Sequence, residues 1–255
     1  MTKKKKTIQT ISPPTTAIVD ADIIAYRCAL QAEVGDPARI PYIIEEMLEF
    51  WLPADTEEFW MALSCKRAEN FRREIWPNYK KNRETKPEPE LLIEVRDYIK
   101  DVYCWMQYPK IEADDIMGMH AQDSIAITID KDLRGVSGWH YNPFKEDCPM
   151  YIDEEEAEEF FCIQWMTGDN TDCIPGLWRI GPKRAKSFLK KWGIEDRHKH
   201  IFELYCTDRY RPKDTCDLDD LSLALAMARC VRILSKGTYD IEKEEIHLWE
   251  PIGGV

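Results

Sequence analysis

Four short clusters of carboxylates recur along this chain, and most of them close an apolar run. They are Asp20 in AIVDAD, Glu112, Asp114 and Asp115 in IEADDIMG, Asp130 and Asp132 in AITIDKD, and Asp169 and Asp172 in TGDNTDCIPG. Acids placed where buried strands run out constrain the fold to a sheet whose carboxyl edges converge on one acidic pocket. Carboxylates brought within a few ångströms of each other either take up protons or share a divalent cation. Hard oxygen donors suit Mg²⁺ or Mn²⁺. Two such ions, about 3.5 to 4 Å apart, can hold both the attacking and the leaving oxygen of a displacement at phosphorus, so phosphodiester hydrolysis is the indicated chemistry. Taken singly, each Asp is better explained by a helix cap or a turn, and it is the recurrence of pairs beside apolar runs that points to a site. The acidic run 153–159 (DEEEAEE) reads as a solvated helix face.

The segments between the clusters alternate in type. Strands are expected at 16–20, 59–64, 103–107 and 125–129, and helices at 23–33, 40–52 and 91–102. The second helix shows Ile40, Ile43, Ile44, Met47, Leu48 and Trp51 at helical spacing. Pro87 and Pro89 delay the third. Such alternation predicts a three-layer α/β domain with a central, mostly parallel sheet. Glu112 and Asp114 must straddle a loop and the first turn of a helix to aim together. Asp130 and Asp132 point the same way in extended chain, and Asp169 and Asp172 share one face of a helical turn.

A length of 255 residues suits one large domain or a domain with a smaller lobe. No apolar stretch approaches the roughly 20 residues of a membrane span, and MTKKKKTIQT reads as a basic flexible arm, 1–15. Nine cysteines without a C-x-x-C pair favour neither a zinc site nor a disulfide framework, which points to a cytoplasmic setting. The formal charge of −12 conceals segregation of sign. Residues 66–86 hold eight Lys or Arg against three Glu, and 179–200 hold eight against two acids, while 145–172 holds one Lys against ten acids. Basic flanks around an acidic middle suit a nuclease, although each run could be a solvated helix face. After Asp172, Gly176 and Gly181 enclose a short connection, and a helix opens at Pro182 with Lys183, Arg184 and Lys186 in its first turns. A helix N-terminus beside cations is a phosphate site that ignores base identity.

The segments VDAD, NFRREIWPNYKKNR, EADDIMG, TIDKDL, GDNTDCIPGLWRIGPKRA, and ARCVRIL with IHLWEP extend from about residue 17 to 251. In this order they resemble the 5′ nuclease superfamily of flap endonucleases and DNA polymerase 5′-nuclease domains, most closely the 5′-to-3′ exonucleases of short-tailed bacteriophages. The resemblance implies a PIN-like 5′ nuclease fold with a helix-three turn-helix lobe. It divides the chain into a catalytic core at 16–152 with an arch near 66–90, a helical DNA-binding lobe at 153–235, and a C-terminal strand at 236–255 that returns to the core. It implies one metal at Glu112, Asp114 and Asp115 with Asp20 close by, and a second at Asp130, Asp132, Asp169 and Asp172. Asp20, Asp114 and Asp132 then act in catalysis with Lys80 and Arg83, which face the scissile phosphate. Tyr79 stacks a base, Arg72 and Arg73 contact DNA, and the segment from Gly176 to Lys186 grips duplex and holds K⁺.

The implied activity is metal-dependent 5′-to-3′ exonuclease and 5′-flap endonuclease cleavage of DNA by a monomer in phage replication, with RNA–DNA hybrids as a further substrate. One departure stands out: ALSC places Cys65 where relatives commonly carry an acid. Cys65 is either a buried filler or a sign that the pocket has decayed, leaving a duplex-DNA-binding module.

Overall fold

The apolar run ending at Asp20 becomes the central strand of a sheet in a computed structural model that describes residues 12–213 and 218–251. Most of the expected basic arm lies outside these residues. In chain order the elements are β1 (Thr16–Asp20), α1 (Ala21–Val34), α2 (Ile40–Trp51), β2 (Glu58–Ala62), α3 (Phe71–Ile75), α4 (Leu92–Val102), β3 (Trp105–Met106), α5 (Ala113–His120) and β4 (Ile125–Ile127). Then come β5 (Gly138–Tyr141), β6 (Met150–Ile152), α6 (Glu154–Thr167), β7 (Gly168–Asp169), β8 (Ile174–Pro175), α7 (Pro182–Leu189), α8 (Arg197–Tyr205), α9 (Asp220–Val231), β9 (Tyr239–Asp240) and β10 (Glu245–Ile246).

Ala17, Ile18, Val19 and Asp20 are all buried, as a strand covered on both faces requires. The main sheet runs β3-β2-β1-β4-β5-β6, parallel except for the antiparallel edge strand β6. Asp20 pairs with Ala62 of β2 and Val19 with Ile127 of β4. The order reverses between β1 and β4, so the crevice beyond their carboxyl ends is the natural ligand position. Asp20 and Asp130 leave their strands there.

The three layers follow from the apolar patterning. Ile24, Ile44, Trp51, Val95 and Ile99 of α1, α2 and α4 cover one face. Ile116 and Met117 of α5, with Ile233 and Leu234 beyond α9, cover the other. Buried alanines at 21, 25, 29 and 32 let α1 approach the sheet closely, and Asp20 caps it by accepting a hydrogen bond from the Ile23 N–H. Helices α6 to α9 form the lobe around the fully buried Trp165, and Trp76 and Tyr79 from the basic segment enter the same core. No helix among the described residues is long and apolar enough to cross a membrane.

Several expectations need correction. The strand expected at 103–107 is only two residues long, and β5 and β6 were not anticipated. The expected C-terminal strand is a two-stranded hairpin, β9–β10, separate from the main sheet. The arch region near 66–90 contains α3 and two single 3-10 turns, Arg67–Glu69 and Lys81–Arg83, held down by Arg73 to Glu84 (2.6 Å) and Asn82 to the Thr171 carbonyl (3.1 Å). The acidic run opens α6, where Asp153 caps the helix and its first-turn acids suit the helix dipole.

Gly118 sets how closely α5 meets the chain beyond α9. A Cβ there would lie 2.3 Å from the Leu234 carbonyl oxygen and 2.8 Å from an Ile233 methyl. Gly118→Ala is expected to destabilise the protein by about 1–3 kcal/mol, as overpacking does. A urea midpoint equal to that of the parent would refute this fit.

Candidate active site

Beyond the β1 and β4 ends lies a cavity of about 270 Å³, and seven of the eight expected carboxylates line it: Asp20, Glu112, Asp114, Asp130, Asp132, Asp169 and Asp172. Each arrives by a local device. Glu112 caps α5 in a reciprocal box with Asp115. Asp130 caps a 3-10 turn, Lys131–Gly135, by accepting from the Asp132 N–H at 2.9 Å, so this pair is not on extended chain as expected. Asp169 and Asp172 sit on the β7–β8 hairpin rather than on a helical turn. The turn is closed by the Thr171 N–H donating to Asp169 (2.7 Å).

Asp115, the eighth, is turned away from the cavity and fully buried. Its oxygens accept from both terminal nitrogens of Arg72 (2.7 Å each), from the Leu234 N–H (3.0 Å) and from the Glu112 N–H (3.0 Å). Asp115 thereby ties the α5 entry to Arg72 and to the chain beyond α9. Arg72, expected at DNA, is buried in this pair, and its guanidinium also donates to the Cys230 and Arg232 carbonyls. Arg73 is tied to Glu84 (2.6 Å). Tyr79, expected to stack a base, is buried, and its hydroxyl donates to Glu112 at 2.6 Å.

Lys80 adopts φ 52°, a left-handed conformation unfavourable for Lys, while its N–H donates to the Asp172 carbonyl (2.9 Å). This aims Nζ between Glu112 (2.6 Å) and Asp172 (3.6 Å), and Arg83 reaches the other oxygen of Asp172 at 2.6 Å. Glu112 and Asp172, expected in different metal subsites, therefore share one cationic wall.

The remaining acids crowd without counterions of this kind. Burial, reinforced by Asp22 and Asp130, pushes Asp20 up to about 7 despite its bonds from Thr128 and the Ile23 N–H. Burial, Asp130 and Asp169 push Asp132 up to about 7. Burial, Asp20 and Asp130 also raise Asp114. Burial would raise Glu112, but Lys80 and Arg72 outweigh it and hold the carboxyl at about 2. Asp130 thus faces two groups, Asp20 with Asp114 and Asp132 with Asp169. The Oδ1 atom of Asp132 is buried without a hydrogen-bond partner. An orphaned oxygen among mutually repelling hard donors fits a divalent cation.

Asp22, Ser64 and Gln164 also line the cavity. Asp22 was visible in VDAD, whereas nothing local marks Ser64 or Gln164. Ser64 Oγ accepts from the Ala113 N–H (2.9 Å), which ties the β2 end to α5. Cys65 is buried outside the cavity wall and, through burial and then Glu112, pushed up to about 12, so it is a protonated filler. On the lobe, Gly181, Lys183 and Lys186 are exposed at the start of α7, and Arg184 donates to the Tyr210 hydroxyl (2.9 Å). Gly176, expected at DNA, is half-buried, and a Cβ on it would lie 2.1 Å from the Thr167 carbonyl.

Comparison with known proteins adds an independent line. A family model described as the N-terminal resolvase-like domain of 5′-3′ exonuclease matches residues 15–161. The thermostable DNA polymerase I of Thermus filiformis is 26% identical over 238 residues, covering 85% of this chain and 28% of the polymerase. The flap endonuclease Xni of Shewanella baltica is 30% identical over 138 residues, covering 48% of this chain and 53% of that protein. The chain thus spans between about a quarter and a half of the length of these curated relatives. The bacteriophage T5 D15 protein, co-crystallised with metal ions, superposes with a TM-score of 0.61 at 14% identity, covering 85% of this chain and 88% of that one. The T5 5′-exonuclease with bound zinc ions gives 0.56 at 18%, covering 85% and 89%. At these identities the likeness is one of fold.

The crowded acids make metal-free stability fall as pH rises. A carboxyl whose folded value is raised from 3.8 to about 7 binds more protons folded than unfolded across that window. Its stabilising protonation is complete near pH 4 and lost by about pH 7. In EDTA, the thermal midpoint at pH 7.5 should lie below that at pH 5.5, and Mn²⁺ should raise it. Asp130→Asn should raise the EDTA midpoint at pH 7.5 and shrink the Mn²⁺ effect. An EDTA midpoint insensitive to both pH and this substitution would show that these carboxyls do not repel as described.

Proposed function

Because this chain belongs to the 5′-3′ exonuclease family, and its cavity gathers carboxylates against a cationic wall, we propose that it hydrolyses phosphodiester bonds near DNA 5′ ends. The observation that carries this reading is that Asp20, Asp114, Asp130, Asp132 and Asp169 line one cavity together with Lys80 and Arg83. Two Mg²⁺ or Mn²⁺ ions would be held by Asp20, Asp114 and Asp130, and by Asp130, Asp132 and Asp169. When bound, such ions supply charge neutralisation to an in-line displacement at phosphorus.

The protein's own residues do the rest. Burial would lower Lys80, but Glu112 and Asp172 raise it, so its Nζ remains charged and acts as an electrostatic stabiliser rather than a base. Tyr79 fixes Glu112 from the opposite side, which keeps Lys80 in place. Arg83, partly exposed, adds charge at the rim. Exposed Lys183 and Lys186 at the start of α7 would grip duplex phosphates without reading sequence. RNA in hybrids fits the same contacts, because none addresses a base or a 2′-hydroxyl.

The test uses an end-labelled 5′ flap and a blunt duplex with Mg²⁺ or Mn²⁺. The parent should cut only with metal, and Asp132→Ala should lose nearly all activity. Metal-independent cleavage, or Asp132→Ala cutting at the parental rate, would sink the assignment. Lys80→Ala should lower kcat by roughly 10²–10³-fold with a smaller change in KM, as expected for charge stabilisation in the transition state. A loss confined to KM would reduce Lys80 to a binding residue.

A further inference from the structure

The lobe gathers three metal-ligand side chains away from the acidic cavity. Glu158 and Cys162 lie four residues apart on α6 and therefore share a face, and His198 enters from the first turn of α8. Glu158 Oε1 lies 2.6 Å from His198 Nε2 and 3.7 Å from Cys162 Sγ. An oxygen, a nitrogen and a sulfur thus sit within 4.8 Å of one another. None of the three residues lines the cavity beyond the strand ends.

The surroundings hold each donor in place. Arg232 takes the second oxygen of Glu158, Oε2, at 3.0 Å, which leaves Oε1 to the cluster. The His198 ring is walled by Phe161, Trp165 and Trp249, whose ring centres lie 5.2 to 6.3 Å from its own. Cys162 is fully buried, yet its sulfur faces a carboxylate, whereas a cysteine serving only as a small filler packs against carbon. Burial and then Glu158 push its thiol up, while Arg197 and Arg232 pull it back. Arg197 is itself buried, with its Nε and one terminal nitrogen lacking a hydrogen-bond partner. A thiolate at Cys162 would supply the negative charge that this buried guanidinium lacks.

We propose that Glu158 Oε1, Cys162 Sγ and His198 Nε2 bind one Zn²⁺ ion, separate from the divalent ions of the cavity, that ties α6 to α8. Mixed oxygen, nitrogen and sulfur donors suit Zn²⁺, which takes four ligands in a tetrahedron at about 2.0–2.3 Å. Such bonds set neighbouring donors roughly 3.3–3.6 Å apart. Sγ and Oε1 already stand near that separation, and Oε1 and Nε2 need to part by less than about 1 Å as the ion replaces the proton between them. The imidazole then carries its proton on Nδ1, the Cys162 proton leaves to solvent, and one thiolate with one carboxylate neutralises the ion. Glu158 is partly exposed, so water completes the tetrahedron from that side. Nothing in the cysteine spacing marks the site, because its donors are a helical i, i+4 pair and a histidine from another helix. The ion braces the lobe and takes no part in phosphodiester cleavage.

Co²⁺ tests the site, because a thiolate bound to it gives a charge-transfer band in the near ultraviolet that oxygen ligands do not. The reduced, metal-free full chain is titrated with Co²⁺ in excess Mg²⁺, which suits the oxygens of the cavity and not sulfur. The parent should develop the band with the amplitude of one bound thiolate, and added Zn²⁺ should abolish it. Cys162→Ser should remove the band. His198→Gln should weaken the Co²⁺ affinity by at least about tenfold, since even an outer partner of a metal ligand is worth that much. Cys230→Ser, which alters a cysteine lining the cavity, should keep the parental titration. A parent without the band, a band that survives Cys162→Ser, or a band lost in Cys230→Ser overturns the site. Should Cys162→Ser fail to fold, an unweakened titration in His198→Gln overturns it.

Discussion

The buried pair between Arg72 and Asp115 holds the rest of the site in register. One guanidinium spans both oxygens of the carboxylate and two carbonyls beyond α9. The carboxylate in turn takes the Glu112 and Leu234 N–H groups. Three stretches distant in sequence meet here: the basic segment through α3, the acidic entry to α5, and the strap after α9. Removing one partner of such a pair leaves an unpaired buried charge, at a cost of about 3–5 kcal/mol. Four of the five guanidinium N–H groups and both carboxylate oxygens are hydrogen-bonded, and the pair fixes the entry to α5, from which Glu112 and Asp114 line the cavity.

The cavity shows how a protein stores repulsion. Lys80 and Arg83 neutralise Glu112 and Asp172, but Asp20, Asp114, Asp130 and Asp132 are left facing one another. Their shared preference for protons is the same electrostatic property that favours a divalent cation. Segregation of sign along the chain becomes segregation across a few ångströms, with the acidic wall and the cationic wall supplied by different elements. The 3-10 turn at Lys81–Arg83 keeps the cationic wall close to the hairpin, since Asn82 is bonded to Thr171.

Much of the fold was legible locally. β1 was expected at its observed limits, and helices α1, α2 and α4 fell within two residues of theirs, because burial on a sheet face imposes apolar spacing. The short strands β5 and β6 escaped notice, since a four-residue GWHY with one histidine and an exposed edge strand MYI carry weak periodicity. In the site, seven of the eight carboxylates line one cavity. Asp115 could not be told from Asp114 by sequence, because adjacent residues in a first helical turn differ only in azimuth. Tyr79 and Arg72 were placed at DNA through the resemblance, and their burial against Glu112 and Asp115 follows from partners that no local pattern names.

By itself the sequence determined that acids follow strands, that strands alternate with helices, and that positive charge brackets the acidic middle. These are short-range properties, written in apolar spacing and residue type. Only tertiary structure decided which acid serves the cavity and which serves the core, because that depends on the partner each one meets. For Asp115 the partner is Arg72, 43 residues away, and for Glu112 it is Lys80, 32 residues away. A carboxylate paired with a buried guanidinium is held for structure, whereas one facing only other carboxylates is left for a cation, and sequence distance does not distinguish the two.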